Sequence, residues 1–193
     1  MKKVITWIFC LLLLIFMPGI TYAENIEEIS SSGKYVFDYY YINWAWGYVL
    51  KGFYIDKDGN IFHYERKKDP WKPKIINEGR FSTLKKDELE DKYQNTQQIG
   101  KLDLELLKEK IKLIIPASKG EIIREHRAYD AGGKTGNALL YDSNREKYLI
   151  VNLGTIGIAD FEKKNTSKEA ESLLKWLQDV EREFEQSAME KLQ

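Results

Sequence analysis

Residues 35–66 are mostly apolar, dominated by β-branched and aromatic side chains, with polar positions such as Asp38, Lys51 and His63 scattered among them. That enrichment, broken by turn residues, predicts three strands, near residues 35–42, 46–56 and 60–66. Asp56-Lys57-Asp58-Gly59-Asn60 separates the last two. Glycine supplies a positive φ, and Asp and Asn bond their own backbone, so this segment predicts a hairpin turn. Pro70 and Pro73 mark a loop, and a short strand fits Ile75 to Phe81.

The period then changes. Leu84 to about Gln94 reads as a polar helix, with Leu84, Leu89 and Tyr93 as its apolar contacts and Thr83 as a cap. Asp103 is placed to cap a second helix, Leu104 to Ile115, where Leu104, Leu107, Ile111, Ile114 and Ile115 share one face. Pro116 stops it. Glu121 to Tyr129, Asn137 to Asp142 and Lys147 to Leu153 then read as a β-meander. Its first connection carries Gly132, Gly133 and Gly136, and its second carries Ser143-Asn144-Arg145. The clearest helix comes last. Thr166 and Glu169 have capping-box spacing, and Ala170, Leu173, Leu174, Leu177, Val180 and Phe184 follow at helical intervals. Strands, helices, strands and a helix in that order predict an α+β fold: an antiparallel sheet of about five to seven strands against two or three helices, with a long C-terminal helix.

The N-terminus follows a different pattern. Lys2 and Lys3 precede an apolar run, Val4 to Met17, which Pro18 and Gly19 end. Thr21-Tyr22-Ala23 follows, with a small residue at the last position. This is the layout of a secretory signal peptide cut after Ala23, which predicts an exported protein, secreted or periplasmic. The apolar run is shorter than the roughly 20 residues a membrane span needs. Cys10 lies inside the run behind Trp7-Ile8-Phe9, where a lipid-bearing cysteine would need small neighbours. The expected organisation is a signal peptide over 1–23, a linker over 24–34 and one α+β domain over 35–193, with no membrane span after cleavage.

Composition narrows the chemistry. The chain has 193 residues, room for one domain of ordinary size, and 43% are hydrophobic, enough to bury a core. The 30 basic residues balance the 30 acidic ones. A neutral chain offers no general field for nucleic acid, so no nucleic-acid partner is expected. The single cysteine falls in the leader, which leaves the mature chain without disulfides or a cysteine zinc site. The 24 lysines against six arginines hint at a bacterial source with an AT-rich genome.

Three motifs have simpler explanations. Ala128 to Thr135 matches a relaxed phosphate-loop pattern, but Asn137 to Asp142 leaves no room for the helix such a loop must open. Asp56 to Asn60 lacks the spacing of a calcium loop, because Gly59 is fourth rather than sixth and Lys67 holds the twelfth position. Asn165-Thr166-Ser167 is formally a glycosylation sequon that overlaps a helix cap. His63 and Glu65 share a strand face but lack a second histidine at ligand spacing. No metal and no cofactor are expected. The candidates for acid–base catalysis are His126, with Glu125 nearby, and Asp130.

The aromatic residues are the most informative feature. Thirteen of 25 fall within residues 35–71, seven of them tyrosines. By the period of two, Tyr35, Phe37, Tyr39 and Tyr41 share a face. Tyrosine and tryptophan offer rigid contact area with a polar tip, and Tyr39, Tyr41, Trp44 and Trp46 are the candidate binding residues for a protein or glycan. Packing of the same rings as core is the competing expectation. The leading functional expectation is an exported, non-catalytic binding domain for a macromolecule or cell-wall component. The alternative is a small exported hydrolase using His126 and Asp130.

Overall fold

The computed structural model describes residues 33–45, 47–78, 81–126, 132–157 and 161–190. The leader, most of the linker, Trp46 and Asp130 lie outside the described residues. The strands are β1 (Tyr35–Asn43), β2 (Val49–Asp56), β3 (Asn60–Lys67), β4 (Ile76–Glu78), β5 (Phe81–Lys85), β6 (Gln97–Lys101), β7 (Ile122–His126), β8 (Gly133–Asp142), β9 (Lys147–Gly157) and β10 (Phe161–Asn165). The helical segments are α1 (Lys86–Lys92), α2 (Leu104–Lys112), the single turn α3 (Ile114–Ala117) and α4 (Lys168–Glu190). The fold is α+β with one large antiparallel sheet, in the order β4-β5-β9-β8-β1-β2-β3-β6. Among the described residues no helix is long and apolar enough to cross a membrane.

The sheet has ten strands rather than five to seven. Polar β6 and β10 gave no hydrophobic alternation, and long-range pairing creates them: β6 borders β3, and β10 lies between β7 and β9. The expected meander is corrected too, because β7 pairs with β10 and not with β8. Gly133 and Gly136 lie inside β8, paired on both sides, rather than in a connecting loop. A Cβ at Gly136 would stand 2.7 Å from Leu174 Cδ1, so glycine lets α4 approach the sheet there. This strand replaces the helix a phosphate loop needs, and Lys134 pairs with Glu181 of α4 at 2.6 Å.

Local chemistry explains the element ends. Asp56 Oδ1 accepts from the N–H groups of Asp58 and Asn60, and Gly59 takes φ +80°, closing the β2–β3 hairpin. Asp103 caps α2 as its side chain accepts from Glu105 and Leu106 N–H. The helix stops at Leu113, before Pro116, which sits within α3. Two expected caps move. Leu84 belongs to β5, where residues 82–85 pair with β9, and α1 starts only at Lys86. Thr83 therefore caps nothing; its hydroxyl donates to Ile76 O. At α4 the cap is Ser167, whose Oγ accepts from Glu169 and Ala170 N–H, while Thr166 Oγ1 accepts from Glu121 N–H.

Both sheet faces are covered. On one, Phe37, Tyr39, Phe53, Ala138 and Val151 pack under α2–α4, where Leu173 and Leu177 are fully buried. On the other, Leu50, Tyr54, Tyr64, Leu139 and Tyr148 pack with Leu89 and Tyr93 of the α1 segment. A bulge between Tyr35 and Phe37 shifts the register of β1. Tyr35 thus joins the α1-side core, while Phe37 and Tyr39 join the other. The four-ring face expected from strict alternation is broken at its first member.

Candidate functional site

One edge of β9 is paired with β8 along its whole length. Its other edge is shared. Residues 147–150 pair with β5, and Gly154 and Thr155 pair with β10. Between these arms the sheet forks at residues 151–153. Asn165 secures the fork: its Nδ2 donates to Asn152 O at 2.8 Å and to Ala117 O at 3.1 Å, and its Oδ1 accepts from Ser167 N–H. Asn165 is 4% exposed, so the sequon asparagine is a structural tie.

A cleft of about 430 Å³ opens at the fork and continues over the α1 face of the sheet. That volume falls in the roughly 300–1,000 Å³ range of small-ligand sites. Register sets two polar rows across the sheet here, of which Asp38, Asn137, Asn152, Tyr40, Lys163 and Arg124 line the cleft. Cross-strand neighbours in an antiparallel sheet point to the same face. Asp38 of β1 pairs with Asn137 of β8, and Asn137 pairs with Asn152 of β9. The adjacent row runs Tyr40, Thr135, Thr155, Lys163 and Arg124 across β1, β8, β9, β10 and β7. The Thr135 and Thr155 hydroxyls bond each other at 3.0 Å. Apolar Ile75, Phe81 and Ile122 border the same cleft.

Polar side chains in a sheet interior cost free energy unless paired. Here the pairing is extensive but incomplete. Asp38 accepts from Lys92 Nζ at 2.5 Å and from Tyr64 OH at 2.8 Å. Both partners of the ion pair are 2% exposed. Lys92 Nζ also lies 3.7 Å from the Tyr40 ring centre and 4.8 Å from that of Trp71. Burial holds the Lys92 ammonium below the ordinary lysine range, and Asp38 opposes that shift. Burial, with Asp38 adding to it, pushes the Tyr64 phenol well up. Asn152 Nδ2 donates to Asn137 Oδ1 at 3.1 Å, but Asn152 Oδ1 is buried and accepts from no group among the described residues.

The loop over the cleft is held at both ends. Trp71 N–H donates to Tyr48 OH, and its indole Nε1 donates to Glu88 O. Glu88 accepts from Lys74 N–H and Lys85 N–H, which joins this loop to the start of α1.

The residues singled out from sequence are dispersed. Tyr39 is 1% exposed and belongs to the core under α4. Tyr41 is half-buried on that side of the sheet, bordering a shallow depression with Lys134 and Glu181. Trp44 is 58% exposed and packs on Tyr48 at 4.7 Å, away from Tyr39. His126 ends β7 opposite Phe161, and Asp130 lies outside the described residues. The cleft is instead built from Asp38, Lys92, Asn137, Asn152, Lys163 and Arg124. Sequence reading passed over them because each is an ordinary residue until register aligns it. Two signals were present: Asp38 interrupts an aromatic strand, and Asn137 and Asn152 interrupt apolar ones. No protein-family model matches the chain, and neither a curated protein nor a solved structure matches it.

Proposed function

We propose that this chain is an exported, non-catalytic binding domain, and that the forked-sheet cleft takes a hydroxyl-rich ligand such as a segment of glycan or cell-wall polymer. The observation that carries this reading is the half-buried Asn152 side chain, which lines a cleft of ligand size in a polar row with Asn137 and Asp38 and whose oxygen has no partner among the described residues. A small turn of the amide into the cleft lets a ligand hydroxyl supply the missing donor. Tyr40 and Trp71 add aromatic surface at one end of the same cleft. Binding without catalysis fits the way Asp38 is engaged, since Lys92 and Tyr64 already occupy its oxygens. Export rests on the leader, and sequencing of extracytoplasmic protein should give Glu24 as the first residue.

The test is calorimetry with soluble cell-wall polysaccharide fragments, comparing the parent with Asn152→Leu and Asn152→Ser. Binding by the parent that falls at least about tenfold in Asn152→Leu is expected, the equivalent of one lost hydrogen bond of about 1.4 kcal/mol. Thermal melts of each variant separate lost binding from lost folding. Undiminished binding by folded variants would contradict the assignment of the cleft.

A further inference from the structure

Lys163 and Arg124 stand directly opposite each other on β10 and β7, and both border the cleft. Like charges in that position repel and destabilise a strand pair. Among the described residues neither cation forms a salt bridge within 4.0 Å. The cleft's carboxylate, Asp38, is already bonded to Lys92 and Tyr64. Burial, and then Arg124, hold the Lys163 ammonium below its ordinary range. Two cations thus stand opposite each other, Lys163 half-buried and Arg124 exposed, at the end of a polar row that continues through Thr155 and Thr135.

We infer that the β7–β10 end of the cleft is an anion subsite, where Arg124 and Lys163 bind a carboxylate or phosphate carried by the hydroxyl-rich ligand. The inference rests on the cleft being the ligand site. Arg124 offers a planar fork of donors and Lys163 a point charge, and either oxyanion can accept from both. An anion between them turns their repulsion into attraction.

The experiment is an amide NMR titration with three probes of one ring type: glucose, glucuronate and glucose 6-phosphate. The parent, Arg124→Gln/Lys163→Gln and Asn152→Leu are compared, with the unfolding stability of each measured alongside. Glucuronate or glucose 6-phosphate should bind the parent roughly tenfold or more tightly than glucose, as charge-assisted bonds do. The tighter of the two identifies the ligand's anion as carboxylate or phosphate. In the double variant that advantage should vanish, glucose binding should persist, and unfolding stability should be equal to or above the parent's. Equal binding of charged and neutral sugars by the parent, weakened for both in Asn152→Leu, would overturn the anion subsite and leave the cleft assignment standing. A charge preference that survives in the double variant would also overturn it. No binding of any probe, or binding indifferent to both variants, would remove the cleft assignment and the subsite together.

Discussion

Asp38 and Lys92 make the most demanding contact in the molecule. They form an ion pair 2.5 Å long, nearly sealed from water, in a setting of tyrosine rings and one tryptophan. Desolvation of two charges offsets much of their attraction, so the pair itself contributes little net stability. Breaking it is another matter, because the survivor stays buried and charged. Lys92→Met should therefore cost about 3–5 kcal/mol by chemical denaturation. The double replacement Asp38→Leu/Lys92→Met should recover most of that loss. If the two single losses simply add in the double variant, the ion pair is not the coupled unit described here. The pair's partnership was not legible in the sequence. Asp38 and Lys92 are 54 residues apart, and only the docking of α1 on the sheet joins them.

Helix α4 shows what sequence can and cannot resolve. Its apolar stripe is read correctly from spacing, because burial of one helix face follows from a local period. Leu177 is fully buried, and its truncation to alanine should cost about 2–5 kcal/mol. Trp44→Ala, at an exposed ring, should cost about 1 kcal/mol or less in the same denaturation series. The cap is a subtler case. Thr166 and Ser167 both have side chains suited to it, and the choice depends on where β10 ends. Thr166 N–H donates to Glu121 O while its hydroxyl accepts from Glu121 N–H, which leaves Ser167 to cap the helix. Ser167→Ala should thus cost roughly 1 kcal/mol, the usual value of a lost N-cap. A negligible loss for Ser167→Ala would mean that the α4 start is capped by another group. Strand β10 itself was illegible, since Phe161-Glu162-Lys163-Lys164-Asn165 carries little apolar pattern and forms by pairing with β7 and β9.

At the scale of the whole molecule, the aromatic excess is chiefly a second core. Tyr35, Tyr54, Tyr64, Tyr93 and Tyr148 fill the α1 face of the sheet, where a run of close ring contacts links Tyr148 to Tyr35, Tyr93 and Tyr64. The α+β class was legible from the order of elements, but the use of the tyrosines was not, since composition does not say which face is dry. Burial raises the phenol pKa of Tyr35, Tyr39, Tyr40, Tyr48, Tyr54, Tyr64, Tyr93 and Tyr148 above the ordinary value of 10.0. A group whose pKa is raised on folding contributes stability that is complete below its unfolded pKa and declines as pH rises through that value. Lys92 and Lys163, both lowered by burial, work in the opposite sense, two groups against eight. Stability should hold to near pH 10 and then fall steeply, with tyrosinate absorbance appearing together with loss of the fold. Gradual ionisation of most tyrosines near pH 10, with the fold intact, would contradict a dry tyrosine core.

Whether the fork in the sheet is a binding site is decided by mapping where ligand is felt. Amide chemical shifts should be followed as glucuronate or cell-wall fragments are added. Perturbations should converge on Asn137, Asn152, Lys163 and Arg124, at the two polar rows beside the cleft. Perturbations confined to Trp44, or to Tyr41 and the exposed face of α4, would contradict binding at the fork, as would a spectrum that no glycan probe alters.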